Sequence, residues 1–186
     1  MEFLSDLWMP ILVSAVFVWI ASFLMHMVLP FHKGDWKGLP DENRVAEALS
    51  GIPAGNYMLP HGTMADMKDP AFQERQRRGP NGTITIWDGM VNMGKNLVLT
   101  LLSYILIGVF VAYVCWHAFA GDTPEYLDVF RIAGTVAFMA HGLAYIPHVI
   151  WYRHVRLWPE LLDAAIYGMV TAGTFGWLWP AVSTAA

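Results

Sequence analysis

The residues of this sequence that could do chemistry are histidines and carboxylates within apolar segments. An ionisable side chain inside a membrane is energetically expensive and by default indicates a function. At about 1.5 Å of rise per helical residue, several of these groups reach a similar depth near one end of their segments. The set comprises His26, His117, His141, His148, Glu160 and Asp163.

Several interpretations of this set stay open. In the first, Asp163 accepts a hydrogen bond from a histidine and the pair only fixes the packing of helices. In the second, the groups bind a metal, because neutral imidazole and carboxylate suit Zn, Fe, Cu or Mn. No H-x-x-x-H, E-x-x-H or C-x-x-C pattern lies within one helix, so each ligand must come from a different element. The predicted metal ligands are His26, His148, Asp163 and Glu160.

Two further interpretations of the same groups are less favoured. A haem would need axial ligands that face each other, and His26 is too shallow to match His141 well. A proton path through His141, His148 and Asp163 would also need polar groups in the outer half of the membrane, which are few. The cofactor is therefore left unknown, with a transition metal favoured over haem. His32, just beyond Pro30, is interpreted as an interfacial residue.

The elements that must position these side chains are predicted membrane-spanning helices. The chain has 186 residues, of which 56% are hydrophobic and 14% charged, whereas soluble domains carry about 25% charged residues. A spanning helix needs about 20 mostly apolar residues. Trp and Tyr lie near many of the segment ends, as in interfacial belts. The predicted spans are 7–30, 95–119, 129–151 and 157–180.

The distribution of Lys and Arg predicts the orientation of these spans. Both the segment between the first and second spans and the link between the third and fourth are basic, the latter through Arg153 and Arg156. The N-terminus, the link GDTPEYLD (residues 121–128) and the C-terminal tail have no Lys or Arg, and only Arg131, just inside the third span, disagrees. Basic loops stay in the cytoplasm. We therefore expect a bacterial inner-membrane protein with both termini outside and a cytoplasmic long loop.

The long loop, residues 31–92, is too long for a bare connection and should have its own order. LPDENRVAEALSG predicts a short helix that ends at Gly51. DPAFQERQRRG predicts a second, with Asp69 as N-cap, Pro70 at its first position and Gly79 at its end. Asn81-Gly82 predicts a turn before a strand-like run.

The fourth span carries small residues at every fourth position, a pattern that allows another helix to approach closely. The third span has small residues and histidines on one face at spacings of 4, 4, 3 and 4. Because the link between these spans is short, we expect antiparallel neighbours. The predicted fold is all-α, a single membrane domain over 1–186 with four transmembrane helices in an antiparallel bundle and a partly helical cytoplasmic loop. The stripe in the fourth span is Ala164, Gly168, Ala172 and Gly176.

Three strings in this chain, PFHKGDWKGLPDE, PAGNYMLPH and TAGTFGWLWP, resemble a family of small bacterial four-span inner-membrane proteins with no known activity. The resemblance extends over nearly the whole chain, from Met25 to Pro180. It implies a four-span bacterial membrane protein and transfers no catalytic residue. The positions to which it points are His26, Pro30, His32, Asp35, Pro40, Asp41, Glu42, Tyr57 and Pro60.

Catalysis has little support in the sequence, since G-x-S-x-G, HExxH and Gly-rich phosphate loops are all missing. The net charge is −4 and the basic residues form no single patch, which argues against nucleic acid. Our leading expectation is a non-enzymatic accessory or scaffold subunit of a larger respiratory or photosynthetic membrane complex. Its partners would be the lipid bilayer and other subunits or a second copy. The alternative is a metal-binding, or less favourably haem-binding, membrane protein with its site near the cytoplasmic leaflet.

Overall fold

The chain is mostly helical, with 69% of residues in helices. The computed structural model describes residues 2–152 and 156–180. Contacts divide it into two compact units, one formed by 1–36 and 93–186 and the other by 37–92. Arg153 and the C-terminal tail, on which the predicted orientation partly depends, lie outside the described residues.

Helices make up most of the described chain, and two short strands lie between them. The α-helices are α1 (Glu2–Asp6), α2 (Trp8–Phe23), α3 (Glu42–Leu49), α4 (Pro70–Arg78), α5 (Met93–Ala118), α6 (Tyr126–His141), α7 (Ile146–Tyr152) and α8 (Leu157–Trp177). The strands are β1 (Gly55–Leu59) and β2 (Gly82–Ile86).

Three helical segments are long and apolar enough to cross a membrane: Trp8–Val28, Met93–Ala118 and Tyr126–Tyr152. They coincide with the first three predicted spans. The fourth predicted span forms the 21-residue helix α8, which is not one of these three. Its composition explains the difference, because Glu160, Asp163 and several Gly and Thr residues make it less apolar than the others.

The third apolar segment is interrupted after His141. A 3₁₀ turn at Leu143–Tyr145 separates α6 from α7. Pro147, near the start of α7, has no backbone N–H and cannot continue the hydrogen-bond ladder of a longer helix. Gly142 caps α6, its N–H donating to the Phe138 carbonyl at 2.9 Å. The segment is therefore two helices rather than one.

Helix α8 packs most closely against α6, through glycines. A methyl group added to Gly142 would lie 2.7 Å from Cβ of Ala164, and one added to Gly134 would lie 3.0 Å from Cβ of Ala172. Gly168 similarly meets Phe138. The small-residue stripe of α8 thus meets Gly134 and Gly142. Ala133 and Ala137, which also lie on α6, belong to a buried cluster with residues of α2, α5 and α8.

The unit 37–92 contains both helices predicted in the long loop. Asp69 caps α4 by accepting a hydrogen bond from Ala71 N at 3.0 Å. β1 and β2 pair antiparallel, from Gly55 opposite Ile86 to Leu59 opposite Gly82. Phe72 of α4 is fully buried and lies against Gly62, where an added Cβ would meet its ring at 2.4 Å.

Candidate metal site

The first histidine of the site, His26, lies on a widened helical turn. After α2 the helix continues as a π-helical turn, Leu24–Val28, in which Leu29 N donates to the carbonyl of Leu24 at 2.9 Å. Such turns are rare and frequently occur at functional sites. His26 Nδ1 lies 3.0 Å from the Ser22 carbonyl oxygen. The turn ends at Leu29, which is extended as the residue before a proline prefers.

The second histidine, His32, ends the 3₁₀ turn Pro30–His32 and is held by a carboxylate. Its Nδ1 lies 2.6 Å from Asp35 Oδ2, and the two side chains are only 8% and 5% exposed. Because a carboxylate accepts the Nδ1 proton, the neutral ring presents a lone pair at Nε2. This is the arrangement in which metal-ligating histidines are usually held.

Asp35 is in turn fixed by Arg156, which lies 121 residues away in sequence. Arg156 Nε donates to Asp35 Oδ1 at 3.0 Å, and its Nη2 donates to the carbonyl of Phe31 at 2.6 Å. Burial raises the pKa of the Asp35 carboxyl, but the hydrogen bonds and charges of His32 and Arg156 outweigh it, so that the pKa lies below its ordinary value. Asp35 is therefore ionised, and this bond ties the turn after α2 to the start of α8.

The third group is Asp163, buried on α8 with 3% exposure. Its Oδ2 accepts a hydrogen bond from the Tyr167 hydroxyl at 3.1 Å. The same oxygen lies 3.2 Å from His32 Nε2 and 3.6 Å from His26 Nδ1. The two imidazole rings stack with centroids 4.1 Å apart and planes at 11°. One ligand atom from each of the three residues lies within 4.8 Å of the others.

Two buried polar atoms of this cluster lack a hydrogen bond within the part of the chain that is described: His32 Nε2 and Asp163 Oδ1. The 3.2 Å approach of Nε2 to Asp163 Oδ2 does not have the geometry of a hydrogen bond. With the Nδ1 proton directed at Asp35, a neutral His32 ring would turn the lone pair of Nε2 toward the Asp163 carboxylate. Each unsatisfied buried group costs about 1–3 kcal/mol. A cation bound by His32 Nε2 and the Asp163 carboxylate would remove that cost.

The charges of the cluster also favour a cation. Asp35 and Asp163 contribute two negative charges and Arg156 one positive charge, which leaves one negative charge to be balanced by a proton on a histidine or by a metal ion. Imidazole nitrogen with carboxylate oxygen is a donor set for Zn, Fe, Mn or Cu. Ligand atoms about 2.0–2.2 Å from a metal lie about 3–4 Å from one another, and the two histidine distances to Asp163 Oδ2, 3.2 and 3.6 Å, lie in this range. Three protein ligands leave at least one coordination position open.

The structure brings together two of the four predicted ligands, His26 and Asp163, and adds His32. His148 lies instead beside two tyrosine rings, with centroids 5.3 Å from Tyr145 of the 3₁₀ turn and 4.7 Å from Tyr152 of α7. Glu160 lies one turn before Asp163, half-buried, and is not a member of the three-residue group.

His141 and His32 both differ from their sequence interpretations. His141 packs against the rings of Tyr104 and Tyr167, at 5.5 and 5.3 Å. The sequence interpretation makes His32 interfacial, yet its side chain is 8% exposed. One sequence feature could have predicted that His32 belongs to the site: His26 and His32 lie on either side of Pro30. The chain turns at this proline, and the turn stacks one imidazole ring on the other.

Comparison of the chain with protein-family models, with curated proteins and with solved structures finds no match.

Proposed function

We propose that this protein is an integral membrane protein that binds a divalent transition-metal ion through His26, His32 and Asp163. The observation that carries the proposal is the buried Nε2 of His32, which faces a carboxylate oxygen at 3.2 Å without a hydrogen bond. With a neutral ring these two atoms are both acceptors and would repel each other unless a metal ion lies between them. Protonation of Nε2 would remove the repulsion without a metal, and the metal titration below distinguishes the two. Two imidazoles and one carboxylate match the donor set of Zn(II) and non-haem Fe(II) sites.

The groups behind the ligands support the same proposal. Asp35 sets the tautomer of His32, and Arg156 orients Asp35 in turn. Tyr167 donates to the Asp163 oxygen that faces both histidines. Outer partners of this kind orient ligands, and their loss typically costs about 10–100-fold in metal affinity.

The membrane arrangement that we propose has four spans, with α8 as the fourth, in an antiparallel bundle. Nine residues of α8 are buried, so this helix meets protein rather than lipid on much of its surface and can carry Asp163. The antiparallel sense is supported by its glycine contacts, since Ala164 lies by Gly142 and Ala172 by Gly134. The basic segments support a cytoplasmic loop, outer termini and a site near the inner leaflet of a bacterial inner membrane.

The accessory-subunit hypothesis stays a prediction. Its main support in the sequence is the small-residue stripe of α8, which could receive a helix of another subunit. Residues of α6 already pack against this stripe within the chain, so the stripe by itself does not require a second protein. Purification in a mild detergent tests it. A partner or second copy that co-purifies in fixed ratio would support it, and a lone monomer would count against it.

A metal titration tests the proposed site. Full-length protein in detergent is stripped with chelator and titrated with Co²⁺ while its d–d absorption is followed, and Zn²⁺ is then used in competition. We expect one ion per chain. His26→Ala, His32→Ala and Asp163→Asn should each weaken binding by more than about 100-fold, since even outer partners are worth 10–100-fold.

Matched controls come from the sequence itself. His148→Ala removes a predicted ligand that lies outside the group, and we expect its affinity to stay within about threefold, since no member of the ligand set is lost. Glu160→Gln removes a carboxylate whose charge acts on His32 and Asp163, so we expect a loss smaller than that of the ligand variants. Elution volume and circular dichroism exclude misfolding. The proposal is refuted if the protein binds no stoichiometric Co²⁺ or Zn²⁺, or if well-folded His32→Ala binds as tightly as the unaltered chain.

A further inference from the structure

The unit 37–92 contains a cavity of about 310 Å³ that has no part in the metal site. It lies where the chain leaves β1 and where α4 ends before β2. This volume is at the lower end of the range of small-molecule sites, about 300–1,000 Å³. Its walls are Leu59, Pro60, His61, Arg75, Arg78, Gly79 and Pro80.

The charged side chains of this cavity are all basic. Two guanidinium groups and one imidazole line it, and no carboxylate is among the lining residues. The ion pairs of α4 join Glu74 to Arg77 at 3.8 Å and to Arg78 at 3.0 Å. They leave Arg75 without a carboxylate partner in the described ranges. Of the two guanidinium groups in the cavity, Arg78 is therefore paired with Glu74, and Arg75 is the one outside any ion pair of the described ranges, although its charge acts on nearby Asp66.

Arg75 is positioned by a rigid neighbour. Its guanidinium carbon lies 5.4 Å from the centre of the Phe72 ring, which is fully buried. The aromatic face holds one side of the planar group and leaves its N–H edge available. The positive field also reaches Asp66, where hydrogen bonds from Thr63 lower the pKa of the carboxyl and the charges of Arg75 and His61 lower it further.

The end of α4 would normally disfavour an anion, because helix carbonyls are exposed there. In this unit two of those carbonyls are already occupied. Gly79 N donates to the Arg75 carbonyl at 3.0 Å, and Asn81 Nδ2 donates to the Gln76 carbonyl at 2.6 Å. An anion in the cavity therefore does not meet these two carbonyls as bare acceptors.

We propose that this cavity binds a phosphate monoester, with Arg75 and Arg78 as the residues that hold the phosphate. A guanidinium fork matches two phosphate oxygens at once, with strong charge-assisted hydrogen bonds. The apolar walls, Leu59, Pro60 and Pro80, would contact the ester's carbon group. Such a phosphate could belong to a lipid headgroup or to a free small molecule, since the chemistry recognised is the same.

Two binding measurements on the full-length protein separate these sources. Glycerol 3-phosphate is titrated onto protein in a neutral detergent and followed by ³¹P NMR. Phosphatidic acid retention is measured by native mass spectrometry after reconstitution in phosphatidylcholine nanodiscs that contain a minor fraction of that lipid. Binding of glycerol 3-phosphate supports a soluble ester, and retention of phosphatidic acid alone supports a lipid headgroup.

The chain offers a matched control for charge. Arg75→Gln and Arg77→Gln remove the same charge from the same helix, but only Arg75 lines the cavity. We expect Arg75→Gln to weaken binding by at least about tenfold, as the loss of charge-assisted hydrogen bonds does, and Arg77→Gln to change it by less than about twofold. Equal losses in the two variants, or no binding in either measurement, would overturn the proposal. Neither variant touches the metal ligands, so the two proposals fail independently.

Discussion

A single methyl group added at Gly142 should separate α6 from α8. The added Cβ would lie 2.7 Å from Cβ of Ala164 and 3.2 Å from the carbonyl oxygen of Phe138. Two methyl carbons in contact lie about 3.5–4.0 Å apart, so the helices must move apart locally by about 1 Å. Overpacking of this size costs about 1–3 kcal/mol.

The same contact predicts a specific rescue. Ala164→Gly alone should cost about 2 kcal/mol, from a lost buried methyl group and the poorer helix propensity of glycine. In the double variant Gly142→Ala, Ala164→Gly the methyl group has only moved across the interface, so we expect a loss of about 1 kcal/mol, the propensity term alone. The coupling between the two positions, which is the sum of the two single costs minus the cost of the double variant, is then roughly 2–4 kcal/mol.

The free energy of unfolding can be measured by titration of SDS into detergent micelles, followed by circular dichroism. Metal affinity gives a second readout, because Asp163 is adjacent to Ala164 and should move with it. Gly142→Ala should therefore weaken Co²⁺ binding, and the double variant should restore it. If the two substitutions add to within about 0.5 kcal/mol, as independent sites do, the close contact between α6 and α8 is refuted.

Three further predictions concern single side chains. Asp35→Asn should lower Co²⁺ affinity by about 10–100-fold, because it no longer orients His32 as a carboxylate does; an unchanged affinity in the Co²⁺ titration would contradict this role. Tyr167→Phe should destabilise the fold by about 1–3 kcal/mol in SDS titration, since a buried Asp163 oxygen loses its donor, and a neutral result would show that water replaces it. Phe72→Ala should cost about 3–5 kcal/mol; limited proteolysis should then cut within 37–92 while the apolar helices stay protected, and resistance of that unit to cleavage would refute the prediction.

The apolar helices follow from local composition, and for that reason they could be predicted. Burying about 20 consecutive apolar residues in lipid leaves the backbone one efficient way to satisfy its hydrogen bonds, which is a helix. The caps of the long loop are equally local, since Asp69 and Pro70 act within one turn of the helix that they begin. The interruption at Gly142 also has a local signal, because Pro147 follows it closely, although the length of the apolar run alone hides it.

The candidate site was predictable only in part. Depth along a helix placed His26 and Asp163 at a similar level, and they are neighbours. The same reasoning placed His148 with them and left His32 outside. Depth gives one coordinate of a side chain, whereas the direction in which it points depends on how each helix is rotated and where each segment turns.

The sequence by itself determined which segments are helical and apolar, and which few ionisable groups they contain. Only the tertiary structure decided that His32 rather than His148 joins His26 and Asp163. The physical reason is that the site depends on contacts between distant segments. The bond from Arg156 to Asp35 spans 121 residues, and the turn at Pro30 stacks one imidazole on the other. Neither contact has a signature within the few residues over which local sequence acts.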